Sequence, residues 1–467
     1  MSCRSDAPLF DTPSRGRPRQ DDVDHRDPQP EPAASADCRR LRIVPGRPLR
    51  TRVAGIFLFL PLLARLRWDT LVVQAGYPGS RMVPAPAALL SLLALKLLDK
   101  ERRSHINDFN FDEALGLFAG LNILPKKSFA TDYSYRTTHG QQQSLLAGWI
   151  AGLAPLLLPD AKAFCLDFHA IPYRGDAEVL DNHYLPLRGK AGPSVLTFFA
   201  HEPKSRVLCY ANANLTRADQ AGELLRFVDF WQAVTGQDPQ WLYFDSKLAP
   251  YTELARLNAR HIWFVTIRRR GAALLRRLRA VPGPDWHRAV IDIPKRRHKN
   301  IRYLDETICL RDYPEPLRQL AVRGLGREEP TLFLCNNFEA SARTIITGYA
   351  GRNGVEDNLG INVNFFHLDC LASEVRLNVD LDVALTVMAN GCYRWLATEL
   401  RGLNKAKPKQ LYRRFVETAG VVEVQNDRIK VHFDKRSHNP ILREAALDHD
   451  CPPIPWLGGL PITFQYS

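Results

Sequence analysis

The sequence predicts a layered α/β fold that is preceded by a helical region. Up to about residue 158 the apolar residues follow helical spacing, whereas from Phe164 onward short apolar runs alternate with amphipathic helices. After residue 160 the order of elements is three strands, a helix, a strand, a helix and a strand. This order is typical of a sheet that is covered by helices on its faces.

The composition points to a large globular protein with a polyanionic partner. A chain of 467 residues is expected to form two or three domains. Lys and Arg outnumber Asp and Glu by 63 to 50, and the formal charge of +13 favours nucleic acid or an anionic membrane surface. We expect no membrane partner, because the apolar stretches at 55–66 and 85–98 are shorter than the about 20 residues of a spanning helix.

The cysteines and the N-terminal sequence indicate a cytoplasmic protein. The nine cysteines are scattered and form no C-x-x-C pair, so the sequence indicates neither a zinc site nor a disulfide framework. The first residues are polar and rich in Pro, Asp and Arg, so we expect no secretory signal. Residues 1–50 are rich in Pro, Arg and Asp, and we expect them to be disordered.

Residues 51–160 are predicted to form a helical N-terminal DNA-binding domain. Helices are expected at 87–98, where Pro84 and Pro86 stand at the start, and at 112–121 and 142–158. The helix at 112–121 and the segment 125–136 that follows are a candidate helix-turn-helix. The alternative is an ordinary pair of packed helices.

Residues 161–400 are predicted to form the α/β domain. Strands are expected at 164–171, 194–200, 206–211, 241–245 and 261–267, with helices at 221–234 and 251–260. This is the order of a ribonuclease-H-like catalytic core. Helical spacing returns at 339–359. In the C-terminal region 401–467, a hairpin is predicted from strands at 421–424 and 429–433 that are joined by Gln425-Asn-Asp-Arg.

A basic, β-rich insertion is predicted at about 270–335. Between residues 260 and 302 the chain has 13 Lys and Arg against two acids, a net +11, and strands are expected at 289–293, 303–310 and 331–335. We expect this segment to clamp DNA, the alternative being a solvated basic loop. The residues of the densest basic clusters are Arg268, Arg269, Arg270, Lys295, Arg296, Arg297 and Lys299.

Trp286 lies in the same basic insertion and allows two interpretations. Its ring is either part of the insertion's core or a platform that stacks on a flipped base. The core tryptophan is the more frequent case in proteins.

Two carboxylates lie in or directly after predicted apolar strands, at positions that suit a metal site. Asp167 lies in the middle of an apolar strand, and a buried charge is costly unless it is paired or holds a metal. Asp245 ends a second apolar strand. In the predicted fold these two strands are neighbours, so both carboxylates would reach one site, although a single Asp at a strand end is more often a cap.

A third acid follows on a predicted helix. Tyr349, Arg352 and Glu356 are spaced i, i+3 and i+7, so they share one helix face. One interpretation is a solvated charged face. The other is that Glu356 completes the metal site while Tyr349 and Arg352 hold a phosphate, for which a guanidinium is well suited.

Three segments resemble the signature blocks of bacterial insertion-sequence transposases of the insertion-sequence-four family. These segments are Leu166-Asp-Phe-His-Ala-Ile-Pro-Tyr-Arg-Gly, Trp241-Leu-Tyr-Phe-Asp-Ser-Lys and Tyr349-x-x-Arg-x-x-x-Glu. The resemblance spans residues 165–395, and the 110 residues between Asp245 and Glu356 leave room for the β-rich insertion of that family.

The resemblance implies a cut-and-paste transposase with Asp167, Asp245 and Glu356 as catalytic metal ligands. It implies two Mg²⁺ or Mn²⁺ ions, with Asp167 bridging both, and double-stranded DNA, as terminal inverted repeats and target, as the substrate. It also implies a homodimer on DNA in the bacterial cytoplasm, associated with the nucleoid.

Two alternatives to a working transposase stay open. One is a ribonuclease-H-like nuclease that cuts without joining strands, and the other is an inactive, transposase-derived DNA-binding protein. Val363 stands seven residues after Glu356, where the family has Lys or Arg. His169 is interpreted as a structural residue rather than a ligand, and no P-loop, G-x-G-x-x-G or G-x-S-x-G motif is present.

Overall fold

A mixed sheet of ten strands organises the chain. The computed structural model describes residues 38–39, 45–46, 48–173, 181–185, 189–246, 250–291, 299–326, 328–369 and 376–467. The predicted disorder of residues 1–50 therefore concerns residues that mostly lie outside the described part. From residue 48 onward the described residues belong to one compact unit.

The N-terminal region is mainly helical, as the apolar spacing predicts. Pro84 is the N-cap of the third helix and Pro86 lies in its first turn, where a missing N–H costs nothing. Three-residue and longer 3-10 turns occur at Ala54–Phe59, Arg103–Phe109 and Ser134–Arg136. The regular elements are β1 (Leu49–Thr51), α1 (Leu60–Arg65), α2 (Trp68–Gln74), α3 (Ala85–Leu97), α4 (Glu113–Phe118), α5 (Lys127–Tyr133) and α6 (His139–Leu157).

The candidate helix-turn-helix does not form. Helix α4 is buried and packs mainly against β1 and the turn Ala54–Phe59, whereas α5 packs mainly against the turn Arg103–Phe109. A helix-turn-helix needs its two helices packed on each other across a short turn, with the second exposed to DNA. The apolar residues of α4 instead pack in the hydrophobic core of this region.

The core sheet has the strand order of a ribonuclease-H-like fold, which confirms the predicted fold class. Strand β2 lies between β4, which is antiparallel to it, and β6, which is parallel; β5 extends the sheet beyond β4 and β7 beyond β6. The elements are β2 (Ala163–Pro172), β3 (Asn182–Leu185), β4 (Lys190–His201), β5 (Leu208–Leu215), α7 (Gln220–Thr235), β6 (Trp241–Phe244), α8 (Tyr251–Ala259) and β7 (Trp263–Ile267).

Side chains alternate between the two faces of this sheet. Phe164 on β2 packs against Phe227 and Trp231 of α7, so α7 covers the face of the even-numbered β2 residues. Asp167 lies on the opposite face. Strand β3, which pairs with the first residues of β4, was not predicted.

The insertion continues the same sheet rather than forming a separate one. Strand β11 pairs with β7, and the sheet then runs through β10, β9 and β8, all antiparallel. The elements are α9 (Ala272–Ala280), β8 (His287–Val290), β9 (Asn300–Ile308), β10 (Leu317–Arg323) and β11 (Thr331–Cys335), with a 3-10 turn at Gly283–Asp285. The strands predicted at 303–310 and 331–335 are confirmed, whereas α9 and β10 were missed. Of the strand predicted at 289–293, residues 289 and 290 belong to β8, and residues 292–293 lie outside the described part of the chain.

Three helices then return over the face of the sheet that carries Asp167. Helix α10 packs on β6 and β7, α11 on β2, and the long α12 on β5, α6 and α3. Gly348 allows the close approach of α10, because a Cβ there would lie 2.4 Å from the Tyr243 hydroxyl. The helices are α10 (Ala342–Ala350), α11 (Asn353–Phe365) and α12 (Arg376–Glu399).

The C-terminal region forms a second sheet together with the first strand of the chain. The predicted hairpin is present as two antiparallel strands, and the order in the sheet is β1-β12-β13-β14. A π-helical turn occurs at Tyr412–Val416 and a 3-10 turn at Pro455–Leu457. The elements are α13 (Pro408–Leu411), β12 (Gly420–Val424), β13 (Ile429–Phe433), α14 (Asn439–Ala445) and β14 (Ile462–Tyr466).

No helix within the described ranges is both long and apolar enough to cross a membrane. The cysteines that the structure describes are all free.

Candidate functional site

Asp167 and Asp245 lie beside each other in the interior of the sheet, where β6 ends next to the middle of β2. These strands are parallel, and Leu166 is opposite Phe244, so the next residues along the chain are Asp167 and Asp245. Equivalent positions on neighbouring parallel strands point to the same face. The structure therefore brings together the first two acids that the sequence singled out.

Arg352 forms an ion pair with one of these carboxylates. Its Nη2 donates to Asp167 Oδ2 at 2.8 Å, and the two side chains are only 11% and 19% exposed. Burial raises the pKa of Asp167, while the positive charge of Arg352 opposes that rise. The negative charge of the neighbouring Asp245 adds a smaller increase to the pKa of Asp167.

Tyr349 completes the group of side chains over the two carboxylates. Burial raises its pKa to about 12, and its ring packs edge-on against Phe333. The Arg352 guanidinium lies 5.9 Å from the Tyr349 ring centre. The spacing of Tyr349 and Arg352 predicted that both lie near Asp167 and Asp245, and the structure brings both side chains close to these carboxylates.

The predicted continuous helix is divided into two. Helix α10 ends at Ala350 and α11 begins at Asn353, although Gly351 and Arg352 keep right-handed helical dihedral angles. The Arg352 N–H still bonds to the Tyr349 carbonyl at 2.9 Å, so the direction of the chain is maintained across the break. Arg352 thus sits at the junction, as the N-cap of α11.

Glu356 lies in the first turns of α11, but its side chain is outside the described part of the structure. Among the described residues, no group of three or more His, Cys, Asp or Glu side chains is close enough to hold a metal ion. The carboxylates of Asp167 and Asp245 have the right chemistry for two oxygen ligands of a hard divalent cation. The third predicted ligand stays a prediction.

His169 and Asp369 form a second polar pair two residues further along β2. His169 Nε2 and Asp369 Oδ1 are 2.6 Å apart, and both side chains are mostly buried. This contact joins β2 to the segment that follows α11. Sequence reasoning interpreted His169 as structural but missed Asp369, because no spacing signal links an acid after α11 to β2.

The basic residues before the insertion have different environments. Arg268 is partly buried and its Nη1 donates to Gln319 Oε1 at 2.6 Å, while Arg270 pairs with Glu329 at 3.3 Å. Arg269 is exposed. Of the second predicted cluster, Lys299 is exposed, and Lys295, Arg296 and Arg297 lie outside the described residues.

Trp286 is part of the small core of the insertion. It is 4% exposed and packs with Leu278, Leu304, Ala321 and Leu332. The guanidinium of Arg323 lies 3.9 Å from its ring centre. A ring that is covered in this way has no free face for a base, so the arrangement favours the core interpretation over the DNA-stacking one.

Three arginines that sequence reasoning missed form a row across the insertion. Arg302 on β9 lies opposite both Arg288 on β8 and Arg323 on β10. The structure records no ion pair for Arg288 or Arg302 among the residues it describes, and like charges opposite each other destabilise a sheet. Burial lowers the pKa of Arg323, and the neighbouring Arg279 and Arg302 lower it further. The row becomes visible only when the pairing of β8, β9 and β10 is known, and the amino-acid composition does not give that pairing.

No protein family description matches the sequence, and no curated protein matches it. Among solved structures, the chain is similar to a piggyBac transposase in a synaptic complex with hairpin DNA, with a TM-score of 0.43 and 11% identity over 79% of this chain and 83% of that chain. A similarity of this size carries no conclusion about activity, so the fold assignment rests on the strand order.

Proposed function

We propose that the chain is a metal-dependent DNA transposase that cuts and joins DNA strands at the ends of a mobile element. The observation that carries this proposal is the position of Asp167 on β2 and of Asp245 directly after β6, its parallel neighbour in a ribonuclease-H-like sheet. The resemblance of three sequence blocks to insertion-sequence transposases supports it. Asp167, Asp245 and Glu356 are the proposed catalytic residues.

The donor set fits Mg²⁺ or Mn²⁺, which prefer oxygen ligands. When bound, two such ions would lower the pKa of an attacking water or 3′-hydroxyl and stabilise the leaving oxygen. Glu356 would be the third ligand. The proposal depends on the side chain of Glu356 reaching Asp167 and Asp245 from α11.

Arg352 and Tyr349 are the proposed phosphate contacts. Arg352 uses Nη2 for Asp167, but its buried Nε has no hydrogen-bond partner among the described residues. A buried N–H donor without an acceptor is costly, and a phosphate oxygen would satisfy it. Arg352 would thus hold Asp167 and a DNA phosphate at the same time.

The insertion is the proposed surface for the DNA beyond the cut. The arginine row formed by Arg288, Arg302 and Arg323 would lose its mutual repulsion when phosphates lie over it. We place the protein, as a homodimer on double-stranded DNA, in the bacterial cytoplasm with the nucleoid. The N-terminal region would recognise the terminal inverted repeats.

A cleavage and joining assay tests the proposal. The full-length protein is incubated with a duplex that contains the DNA flanking its gene, in Mg²⁺ or Mn²⁺, and products are separated by strand length. We expect the wild type to cut and join, and Asp167→Ala, Asp245→Ala and Glu356→Ala to lose at least 10²-fold activity while still binding DNA. Asp427→Ala removes an exposed carboxylate of the C-terminal hairpin and is the matched control.

The other outcomes identify the alternatives. Cleavage without joining would identify a nuclease, and DNA binding without cleavage would identify an inactive DNA-binding protein. Cutting that survives Asp167→Ala or Asp245→Ala would contradict the assignment of the site.

A further inference from the structure

Helix α11, which carries Glu356, has little helical tendency of its own. Its 13 residues, Asn353–Phe365, include four asparagines and two glycines. Both residue types rank low among helix formers. A helix of this composition is stabilised mainly by its contacts with the rest of the protein. The position of Glu356 therefore depends on what holds α11 in place.

Strand β2 is attached to α11 at the start of the helix and again after its end. At the start, Nη2 of the N-cap residue Arg352 lies 2.8 Å from Asp167 Oδ2. After the end, His169 Nε2 donates to Asp369 Oδ1 at 2.6 Å. Asp167 and His169 are two residues apart on the strand, so both point to the same face of the sheet. One short stretch of β2 thus holds both ends of α11.

The contact between His169 and Asp369 is shielded from water. The two side chains are only 20% and 14% exposed. A hydrogen bond to a carboxylate is stronger in such surroundings than in water. Removing either partner leaves a mostly buried polar group without its hydrogen bond, which is costly. The contact is therefore suited to keep α11 against the strand.

The end of α3 holds the chain directly after α11 from a second side. Lys96 Nζ donates to the Phe366 carbonyl at 2.8 Å, and His367 Nε2 lies 2.9 Å from Asp99 Oδ1. Asp99 and His367 have positive φ angles of 56° and 54°. Such angles persist in residues other than glycine only where the surroundings fix them. The end of α11 is thus held firmly, and His169 with Asp369 ties it to the strand of the candidate site.

We infer that His169 and Asp369 are positioning residues, which hold α11 against β2 and thereby fix Glu356 relative to the two aspartates. The inference rests on the proposed function for the role of Glu356 as a metal ligand. His169 and Asp369 act through the helix and not on the reacting atoms. A displacement of about 1 Å in a catalytic group can lower a rate about 10²-fold, so the attachment of α11 has a direct effect on cleavage.

Cleavage kinetics on the duplex that flanks the gene test the positioning role at a temperature where each variant is folded. We expect Asp369→Ala and His169→Ala to lower kcat about 10- to 100-fold, with a change of less than about twofold in the KM for DNA. Most of the proposed DNA surface lies outside α11, which is why KM should change little. His169→Gln keeps an N–H donor and should restore most of kcat.

The matched control is His139→Ala. His139 Nδ1 lies 2.6 Å from Asp380 Oδ2, so this pair has the same length, is also mostly buried, and joins α6 to α12. Its loss should lower the thermal stability as the loss of His169 does, but leave kcat unchanged. A general effect of breaking a buried histidine–carboxylate pair is thereby separated from an effect on α11.

Hydrogen exchange measured by mass spectrometry tests the attachment without any activity. In Asp369→Ala and His169→Ala, the amides of α11 should exchange at least about tenfold faster than in the wild type. Helix α7, on the opposite face of the sheet, should keep its rate. His139→Ala should leave the exchange of α11 unchanged.

Two results would overturn the inference: unchanged exchange of α11 in Asp369→Ala and His169→Ala, or a fall in kcat no larger than in His139→Ala. If the wild type cuts DNA and these variants cut at the same rate, the positioning role is wrong and the transposase proposal stands. If the wild type cuts no DNA while α11 exchanges faster in both variants, the transposase proposal is wrong and the attachment of α11 by the pair stands.

Discussion

The ion pair of Asp167 and Arg352 determines the electrostatics of the candidate site. Removing one partner of a buried pair leaves a charge without compensation, which costs about 3–5 kcal/mol. Here both side chains are mostly buried, and the pair joins β2 to the start of α11. The contact thus stabilises the fold at the same place where it positions the arginine that we propose as a phosphate contact.

His201 gives the pH dependence that is easiest to measure. It is fully buried at the end of β4, and burial lowers its pKa from 6.5 to about 4. A histidine with a lowered pKa stabilises the fold above its unfolded pKa, and this contribution is lost as the pH falls from about 6.5 to about 4. We expect a loss of about 3 kcal/mol over that range.

The variant His201→Gln separates this contribution from other acid effects. Urea unfolding of wild type and variant is measured between pH 7 and pH 4. The stability of the variant should fall less steeply with decreasing pH, because glutamine does not titrate. Parallel curves for the two proteins would show that His201 is not the group responsible.

For single residues, the sequence predicts which side chains belong to the site better than it predicts which side chains they contact. Asp167 and Asp245 were identified because each interrupts or ends an apolar strand, and a buried carboxylate requires a physical reason. Asp369 was missed because its partner, His169, is 200 positions away in the chain. Only the packing of α11 on β2 brings that pair together.

Among the elements, α10 has the tightest packing near the site. A Cβ on Gly348 would meet the Tyr243 side chain at 2.4 to 2.7 Å, whereas a Cβ on Gly360 in α11 would meet nothing within 4 Å. We expect Gly348→Ala to cost about 1–3 kcal/mol through overpacking. Gly360→Ala should instead stabilise the protein by up to about 1 kcal/mol through helix propensity.

Thermal unfolding of the two glycine variants checks this expectation. Both variants replace glycine by alanine in a helix. The gain in helix propensity is therefore common to both, and the difference between their stabilities reports the packing at each site. Equal stabilities would mean that α10 moves away from β6 at no cost.

The arginine row predicts opposite effects on stability and on DNA binding. Arg302→Gln removes the central charge, so we expect the stability to rise by a few tenths of a kcal/mol. If DNA phosphates lie over the row, the slope of log K against log salt should fall by about one. Arg428→Gln, on the C-terminal hairpin, is the control and should leave that slope unchanged.

A filter-binding titration at several salt concentrations measures the slope. An unchanged slope in Arg302→Gln would remove the row from the DNA-binding surface. A fall in stability would show that Arg302 has a structural partner.

The elements missed by the sequence analysis share a physical reason. Helix α9 consists of good helix formers, but its arginines made the segment resemble a basic loop in the sequence. Strand β10 is buried almost throughout although it contains Arg318 and Gln319, whose polar groups pair with Asp305 and Glu306. A buried strand with charged residues is recognisable only when their partners are known.

In the whole molecule, the two ends of the described chain are joined through the second sheet. Strand β1 pairs with β12, and Trp456 near the C-terminus donates to the Phe118 carbonyl at 3.1 Å. Helix α12 also contacts the N-terminal helices and the core sheet. Sequence patterns separated residues 51–160, 161–400 and 401–467, but could not predict these contacts, which are distant along the chain.

Truncation after Leu460 tests whether these regions unfold together. It removes β14 with the buried Ile462 and Phe464, and we expect a loss of about 3–6 kcal/mol from their burial. Calorimetry should show one transition at lower temperature for the entire protein. Gln465→Ala, at an exposed position of β14, is the control. Separate transitions for the α/β region and the C-terminal region would contradict a single unit.

The ion pair of Asp167 and Arg352 also has a consequence for protein synthesis. The two residues are 185 positions apart. At about 5–20 residues per second, a ribosome needs roughly 10–40 s to make the segment between them. During that time a nascent chain carries Asp167, and later Asp245, without the arginine that compensates their charge. A growing chain therefore completes this site only after α10 and α11 have left the ribosome.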